Sequence, residues 1–321
     1  MTASLMVRPE LLALDLRGRN YIVTGANSGI GWETARQLAR QGATVAMACR
    51  RVPEGERAAA AIRAELPQAQ LEVLPLDLAD LASVRAFATQ FMQDHAHLHG
   101  LVNNAGVMNP PLGRTRDGFE TQFGTNHLGH FLLTELLTGL LKASAPARVV
   151  MLSSLFHVEA MGRPGAIHFD DPNYHRRRYD GWEAYAQSKL ANLLHARELA
   201  RRLQGTGVTV ASVNPGFVET NLLKLSVPGW LRQAVVLPAL RLVAGMLTPW
   251  EGVQTTLHVL LAPEVEGQSG AYFSQKARYR DRASRPGGWP LHSPSPLAHD
   301  DAVAERLWQL SAELVGFPPK P

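Results

Sequence analysis

The sequence contains a single cysteine, Cys49. One cysteine cannot form a disulfide within the chain, so the fold must be held together without one. Proteins that work in oxidising compartments commonly use disulfides, and proteins in a reducing cytosol rarely do. The cysteine content therefore predicts a cytoplasmic location.

Long apolar runs are missing from the first twenty residues. Charged side chains interrupt that stretch at Arg8, Glu10, Asp15, Arg17 and Arg19. A signal peptide or a membrane anchor needs an uninterrupted apolar segment. We therefore expect no integral membrane segment.

A strong excess of one charge is also missing. The chain has 32 basic and 28 acidic residues and a net charge of +4, which is too slight and too dispersed to predict a nucleic-acid partner. His157, His168 and His175 lack the spacing of metal ligands, so we predict no metal site.

Apolar segments typical of strands alternate with segments of helical periodicity. Strict alternation predicts an α/β fold in which helices cover both faces of one parallel sheet. No linker-like break appears before residue 280, so 1–321 is predicted to be one domain, ending in an irregular loop and a helix over 280–316. Strands are expected at 21–23, 43–48, 71–76, up to 102, 148–152 and 208–213, and helices at 34–41, 58–66, 83–94, 126–141 and 184–203.

A glycine-rich loop follows the first predicted strand and opens a helix. It contains Gly25, Asn27, Ser28, Gly29, Ile30 and Gly31. Glycines let the backbone turn sharply and approach a pyrophosphate, which the helix N-terminus then attracts. The alternative is a tight strand–helix turn that binds no ligand.

Arg50 and Arg51 follow the second predicted strand, where an NAD-binding site usually has an acidic residue. A guanidinium there can pair with the 2′-phosphate of NADP, so NADP(H) is favoured over NAD(H), with Arg50 the better candidate. The alternative is that both arginines are solvated loop residues. Asp77, followed by Leu78, is placed to contact the adenine or, equally, to cap the helix that starts at Leu81.

The run Asn103-Asn104-Ala105-Gly106 ends the fourth predicted strand. Small residues let a flat cofactor lie over the strand end, and the amides can hold neighbouring backbone. Asn104, Ala105 and Gly106 are therefore predicted to bind the cofactor, although the run by itself would also suit a turn.

Tyr185 and Lys189 lie four residues apart and so share one face of a helix. A phenol titrates near pH ~10 in water, and a nearby cation is expected to lower that pKa so that the phenol can exchange protons. Ser154, at the end of the fifth strand, can hydrogen-bond the substrate oxygen. Asn126 can hold a water that links Lys189 to solvent. A surface helix pair is the usual explanation of such spacing, but here the motifs all map to the carboxyl ends of the strands, where open α/β sheets bind ligands.

Residues 222–248 are rich in Leu, Val, Ala, Pro and Trp and carry few charges. A mobile apolar lid there predicts a small lipophilic carbonyl or alcohol as substrate. A dimer interface or a surface that touches a membrane would have the same composition.

These motifs together resemble the short-chain dehydrogenase/reductase family of the classical type, which has a Rossmann-type doubly wound sheet. The resemblance rests on Thr24 to Gly31, Asp77, Asn103 to Gly106, Asn126, Ser154, Tyr185, Lys189 and Asn214-Pro215-Gly216. It implies that Tyr185 is the acid/base, Lys189 holds the nicotinamide ribose and lowers the tyrosine pKa, Ser154 orients the carbonyl and Asn126 carries a proton relay. It also implies that Pro215, Gly216, Val218 and Thr220 belong to the segment at the nicotinamide.

A finer resemblance, to the retinol-dehydrogenase-like branch, runs almost end to end. Its segments include Asn126 to Phe131, Gln187 to Asn192 and Gly267 to Phe273, and the branch shares a long insert, here Leu155 to Glu183. It implies reduction of retinal-like aldehydes or other lipophilic carbonyls, usually with NADP(H). Pairing through the helices that begin near Asn126 and Tyr185 implies a homodimer or homotetramer, although core packing would explain the same apolar faces.

The sequence therefore predicts an NADP(H)-dependent alcohol dehydrogenase or carbonyl reductase. One alternative is an NADP(H)-binding redox sensor without catalysis, against which the Tyr185/Lys189 pair argues. Another is a reductase of a C=C bond.

Overall fold

A computed structural model describes residues 5–219, 240, 245–275 and 289–317. Its main sheet has seven parallel strands in the order β3-β2-β1-β4-β5-β8-β9. The strands are β1 (Asn20–Thr24), β2 (Thr44–Cys49), β3 (Gln70–Pro75), β4 (Gly100–Asn103), β5 (Ala147–Leu152), β8 (Val208–Asn214) and β9 (Tyr272–Ser274).

Helices cover both faces of this sheet. They are α1 (Pro9–Leu12), α2 (Gly29–Arg40), α3 (Val52–Glu65), α4 (Leu81–Asp94), α5 (Gly129–Ala143), α6 (Gly181–Arg202), α7 (Pro249–Leu261) and α8 (Asp301–Leu314). Two clusters of buried apolar side chains, one on each face of the sheet, form the core.

The central strands are apolar along their whole length because helices cover them on both sides. Every residue of β5 and of β8 is buried, as expected for strands in the middle of a parallel sheet. The predicted α/β fold class is therefore confirmed. Strand order reverses between β1 and β4, which places a crevice at their carboxyl ends.

The cap of α4 differs from one of the two sequence interpretations. Asp80, not Asp77, is the N-cap residue, and its carboxylate accepts hydrogen bonds from the backbone N–H groups of Ala82 and Ser83. Asp77 lies one turn earlier, where its side chain accepts from Ala79 N–H. The helix begins at Leu81, so of these two aspartates only Asp80, directly before it, reaches free N–H groups of the first turn.

The insert after β5 packs on the start of α6. It contains a short antiparallel hairpin, β6 (Glu159–Ala160) and β7 (Arg163–Pro164). Gln187, which is buried on α6, accepts from His168 N–H and donates to Pro172 O. These two bonds fix the insert beside the helix that carries Tyr185.

The C-terminal helix α8 packs against α6 and α5. Leu307 is fully buried, and the Trp308 indole donates to Glu135 and lies under the Arg202 guanidinium, 3.7 Å from the ring centroid. The repeat of apolar residues from Val303 to Leu314 thus forms one helix, at Asp301–Leu314.

Helix α6 is enclosed within the single chain. All residues from Ala184 to Ala196 are buried, with α8 and the insert on its flanks. The homodimer or homotetramer stays a prediction.

Several expectations fall outside the described residues. Thr220 and most of the proposed lid, 220–239 and 241–244, lie there, as does 276–288. Within the described residues, no helix combines the length and apolarity needed to cross a bilayer.

Replacing Leu307 by Ala tests how much α8 contributes to stability. Removing a fully buried leucine side chain should lower the free energy of unfolding by about 2–5 kcal/mol, because it removes apolar contact and leaves a cavity. Urea denaturation followed by circular dichroism measures this change. Leu14→Ala, at a side chain that is 39% exposed, is the matched control and should change stability by less than about 0.5 kcal/mol. Equal effects of the two substitutions would contradict the packing of α8.

Candidate functional site

The crevice between β1 and β4 is organised by the buried side chain of Thr24. Its Oγ1 accepts hydrogen bonds of 2.9 Å from the backbone N–H groups of both Asn104 and Ala105. The Asn104 side chain in turn donates to Thr24 O, at 2.7 Å. These bonds join the end of β1 to the loop after β4.

His130, on α5, extends this network to Asn126. Its Nδ1 is 3.0 Å from Asn126 O and its Nε2 is 2.9 Å from Thr24 Oγ1. Burial lowers the pKa of His130 to about 4, so the ring is neutral at pH 7. Since a carbonyl can only accept, Nδ1 carries the hydrogen and Nε2 accepts from the Thr24 hydroxyl. No motif in the sequence assigns this histidine to the site, although it lies one helical turn after Asn126.

The glycine-rich loop has the backbone that its sequence predicts. Gly25 and Gly29 have φ angles of +66° and +56°. These angles lie in the left-handed region, which glycine adopts more readily than other residues. At Gly31 an added Cβ would lie 2.5 Å from both Gly25 O and Asn104 Nδ2. The loop therefore packs directly on the β4 loop, and the helix that follows Ser28 points its N-terminus to the crevice.

A cleft of about 440 Å³ opens beside this loop. The first turn of α2 and the first half of α3 form its walls, with the residues Asn27, Ser28, Gly29, Trp32, Glu54, Arg57 and Ala58. Backbone N–H groups at a helix N-terminus and nearby guanidinium groups suit an anionic ligand.

The two arginines after β2 differ in their surroundings. Arg51 forms an ion pair of 2.8 Å with Glu54. Arg50 is exposed, and within the part of the chain that the structure describes it forms no ion pair. Of these two arginines, Arg50 is therefore the one whose guanidinium is free for a phosphate.

Asp77 and Leu78 lie in the turn after β3. Leu78 is buried, and its backbone carbonyl packs so closely on Gly129 that a Cβ there would clash. This contact places the turn beside the start of α5, at the same carboxyl edge of the sheet as the glycine-rich loop.

Asn126 lies in a π-helical turn, Phe123–Leu128, that precedes α5. Its side-chain oxygen accepts from Val107 N–H at 2.8 Å, and its Nδ2 donates to Val107 O and to Ser188 Oγ. π-Helical turns are rare in proteins, and those that occur are frequently found at functional sites. This one points the amide at the β4 loop and at α6 together.

The structure separates the two serines after β5. The Ser153 hydroxyl is buried and donates to Lys189 O at 2.7 Å. Ser154 forms a side-chain hydrogen bond with Tyr185. Ser153 thus supports the helix backbone, and Ser154 bonds to the phenol. The catalytic role of Ser154 stays a prediction.

Burial dominates the electrostatics of Tyr185 and Lys189. The Lys189 Nζ is 5.6 Å from the Tyr185 ring centroid and donates to Leu152 O. Burial lowers the pKa of Lys189 to about 8. Burial also raises the pKa of the Tyr185 phenol, and the Ser154 hydrogen bond opposes this rise. The net pKa of Tyr185 is therefore raised, because desolvation is the larger effect, and a lowering contribution from the Lys189 charge stays a prediction.

The segment after β8 closes the other side of the crevice. Gly216 has a φ of +87°, and its N–H donates to Asn214 Oδ1. It follows Pro215, and Val218 is buried in a bridge to Leu247. These residues lie at the carboxyl end of β8, next to that of β5.

His157 is a second buried histidine that the sequence analysis did not place in the site. Its Nδ1 is 2.5 Å from Ser154 O, and its Nε2 is 2.6 Å from Ser293 Oγ. Burial lowers its pKa to about 4. The neutral ring therefore ties the backbone of Ser154 to the segment before α8. No sequence pattern shows that residues so far apart in the chain meet.

The residues fit a dinucleotide. The glycine-rich loop leaves no room for side chains, and Gly106 lies against Asn126 Oδ1 and Lys189 Nζ, where a Cβ would be 3.1 and 3.7 Å from these atoms. A flat ring that reached this point from the cleft would meet Tyr185, Ser154 and Lys189. A parallel sheet with such a site at its switch point defines the class of dinucleotide-binding oxidoreductases.

Comparisons with known proteins identify the family within this class. The family model for short chain dehydrogenases matches residues 19–167 and 173–228. The chain belongs to the short chain dehydrogenase family, whose members bind NAD(P). The resemblance to the retinol-dehydrogenase-like branch is confirmed by the relatives that follow.

Retinol dehydrogenase 12 of Bos taurus is 48% identical over 304 residues, which cover 95% of this chain and 88% of the relative. Retinol dehydrogenase 14 of Mus musculus is 45% identical, with 94% and 87% covered. Among solved structures, an uncharacterised protein from Mycobacterium paratuberculosis superposes with a TM-score of 0.72 at 37% identity and covers 95% of this chain and 97% of its own.

Lys189→Met tests the energetic cost of the buried ammonium. The folded protein holds this pKa at about 8, against 10.5 for an ordinary lysine. Between these values the unfolded chain binds more protons, so this lysine makes stability rise with pH, and its penalty is fully present below pH 8. We expect the variant without cofactor to be stabilised at pH 7 by on the order of 3 kcal/mol, less about 1 kcal/mol for the lost hydrogen bond. The gain should vanish above pH 10.5.

Urea denaturation at pH 7 and pH 10 measures the difference. Lys142→Met, at an exposed lysine of α5, is the control and should show no such pH-dependent gain. A Lys189→Met gain that is the same at both pH values would contradict the burial of a charged group.

Proposed function

We propose that this protein is an NADP(H)-dependent oxidoreductase that interconverts a lipophilic alcohol and its aldehyde or ketone, with Tyr185 as the acid/base. One observation carries the proposal. The Tyr185 phenol is hydrogen-bonded by Ser154 and lies beside the buried Lys189 ammonium, against the small residues of the β4 loop. A proton donor, a hydroxyl that can hydrogen-bond an oxyanion, and a cation thus meet beside the loop after β4.

The nicotinamide, when bound, supplies or accepts the hydride. In the reductive direction, the Tyr185 O–H donates its proton to the substrate oxygen as negative charge develops on that oxygen. The Ser154 hydroxyl donates a second hydrogen bond to the same oxygen and so stabilises the developing charge. In the oxidative direction the Tyr185 phenolate takes the proton of the substrate hydroxyl, and Ser154 keeps its hydrogen bond to the same oxygen.

Lys189 supports Tyr185 as a nearby positive charge. Its ammonium stabilises the phenolate that forms when the proton leaves. The Lys189 pKa of about 8 keeps this ammonium mostly charged at pH 7. Because its pKa lies near neutrality, Lys189 can also pass protons. The backbone carbonyl of Asn126 accepts from His130 Nδ1. Its second lone pair can bind a water molecule that connects the site to solvent.

Arg50 supports the preference for NADP(H). It directly follows β2 and is exposed. At that position its guanidinium can pair with the 2′-phosphate on the ribose. We propose that Gly25, Asn27, Ser28, Gly29, Ile30 and Gly31 hold the pyrophosphate, and that the adenine lies near Asp77 and Leu78. The β4 loop, Pro215, Gly216, Val218 and Thr220 then surround the nicotinamide.

Aromatic side chains next to Tyr185 support a lipophilic substrate. Phe156 lies edge-on to Tyr185 with ring centroids 6.0 Å apart, and Trp182 lies edge-on to Phe156 at 5.8 Å. Phe217 is 41% exposed just after Gly216. The names of the relatives, retinol dehydrogenases, point to the same substrate class. The apolar lid at 222–248 stays part of this proposal, as does a cytoplasmic location.

Tyr185→Phe separates an enzyme from a redox sensor. Because the variant keeps the ring and loses the proton, we expect turnover to fall by at least about 1000-fold while the Kd for NADPH changes less than about threefold. The assay follows NADPH absorbance with retinal, steroid ketones, short aldehydes and enones. Tyr21→Phe, the same chemical change near the amino end of β1, is the matched control and should leave turnover unchanged. Wild-type protein that binds NADPH but turns over none of these substrates would favour the sensor, and turnover of the enone double bond alone would favour a C=C reductase.

Arg50→Gln tests the cofactor preference. Losing a charged hydrogen bond of about 1.5–3 kcal/mol should raise the Kd for NADPH by about 10- to 100-fold and leave the Kd for NADH within about twofold. Titration calorimetry measures both constants. Arg63→Gln, at the far end of α3, is the control. Equal weakening of both cofactors would contradict a role of Arg50 at the 2′-phosphate.

A further inference from the structure

Glu54 is a carboxylate in a cleft that otherwise suits anions. Its Oε2 pairs with the Arg51 guanidinium at 2.8 Å and accepts from Asn27 Nδ2 at 3.3 Å. One carboxylate oxygen therefore joins the first turn of α3 to the glycine-rich loop. Glu54 also lines the cleft itself, together with Ser28 and Gly29.

The ion pair divides the three arginines of this region into two kinds. Arg51 is engaged by Glu54. Arg50 and Arg57 form no ion pair within the residues that the structure describes, and Arg57 lines the cleft. A phosphate that entered the cleft would meet the unpaired guanidinium of Arg57 and the carboxylate of Glu54, and Arg50 lies at the end of β2.

We propose that Glu54 is a specificity-determining residue, which limits the preference for NADPH over NADH by holding Arg51 in an ion pair and by placing a negative charge beside the 2′-phosphate. The inference rests on the proposed function, because it assumes that the nucleotide binds with its ribose at the end of β2. It adds that selectivity depends on a counter-charge as well as on the arginines.

Partial burial of the Glu54 carboxylate strengthens its electrostatic effect on a nearby phosphate. The Glu54 side chain is 29% exposed, whereas the Arg51 side chain is 66% exposed. Charges near a protein surface at such depth are screened less than fully solvated ones. The 2′-phosphate carries close to two negative charges, and the nicotinamide cofactor without it carries none at that position, so removing Glu54 should affect only one of the two cofactors.

An ordinary structural role gives a different expectation. A glutamate in the first turn of a helix stabilises that helix by about 0.3–1 kcal/mol through the helix dipole. Loss of that contribution would lower stability and leave the ratio of the two cofactor affinities unchanged. The ratio of Kd values therefore discriminates between the two roles.

Glu54→Gln is the central variant, and Glu56→Gln is its matched control. Glu56 lies on the same helix, its substitution changes the net charge equally, and its side chain is 56% exposed and pairs with Arg63 at 4.0 Å. Titration calorimetry with NADPH and NADH at one fixed ionic strength gives the Kd ratio. We expect Glu54→Gln to tighten NADPH by about 3- to 10-fold and NADH by less than about twofold. Glu56→Gln should change the ratio by less than about twofold.

Arg51→Gln completes a double-mutant cycle. In the wild-type background its effect on the NADPH Kd should be less than about threefold, because Glu54 engages Arg51. Part of the gain in Glu54→Gln should come from Arg51, so Arg51→Gln should weaken NADPH more in that background than in the wild type. An effect of equal size in both backgrounds would overturn the holding role. The single Arg51→Gln variant tests this role even if Glu54→Gln does not fold.

Failure of the inference and failure of the proposed function give different results. If the wild-type protein binds NADH as tightly as NADPH, the proposed cofactor preference is wrong. If the wild type prefers NADPH and Glu54→Gln leaves the ratio unchanged, or changes it no more than Glu56→Gln does, Glu54 has only a structural role.

Discussion

The site depends on how two neighbouring strand ends are joined where strand order reverses. A crevice must open there for a ligand, yet the loops on its two sides must keep a fixed distance. The Thr24 hydroxyl meets both needs, because it accepts from two N–H groups of the β4 loop and donates to His130. Since His130 also donates to Asn126 O, one continuous chain of hydrogen bonds runs from the glycine-rich loop to the π-helical turn of α5.

Around that chain, the protein accepts unfavourable burial where chemistry is expected. Lys189 and Tyr185 are 5% and 6% exposed, and burial disfavours the charged form of both groups. Their helix must therefore be held in place by other contacts. Ser153 and Asn192 hold the helix against β5, Gln187 holds the insert, and α8 covers the remaining side. Elements far from the reacting atoms thus hold Tyr185 and Lys189 in a buried position, where their charged forms lack stabilisation by water.

Much of this could be predicted from the sequence. Alternating apolar segments gave the sheet, and motifs at the strand ends gave the positions of Gly25 to Gly31, Asn104, Ser154 and Tyr185. Local patterns marked Asp77 as a possible cap of α4 but did not point to Asp80, the residue that directly precedes the helix. Nor could they show the pairing of Arg51 with Glu54, the burial of Lys189, or the link from Ser154 through His157 to Ser293. These depend on contacts between distant segments or on desolvation, which no short motif encodes.

The position of α8 has a consequence for how the chain folds. Helix α6 carries Tyr185 and Lys189, but the helix that covers it is synthesised later, after the rest of the sheet. Until α8 emerges from the ribosome, the apolar side of α6 that receives Leu307 and Trp308 stays open to other molecules. Native pairing here joins segments that are far apart in sequence, and such long-range closure is slow relative to local helix formation. Nascent chains and truncated products are thus the forms of this protein that a cell's chaperones would bind at α6.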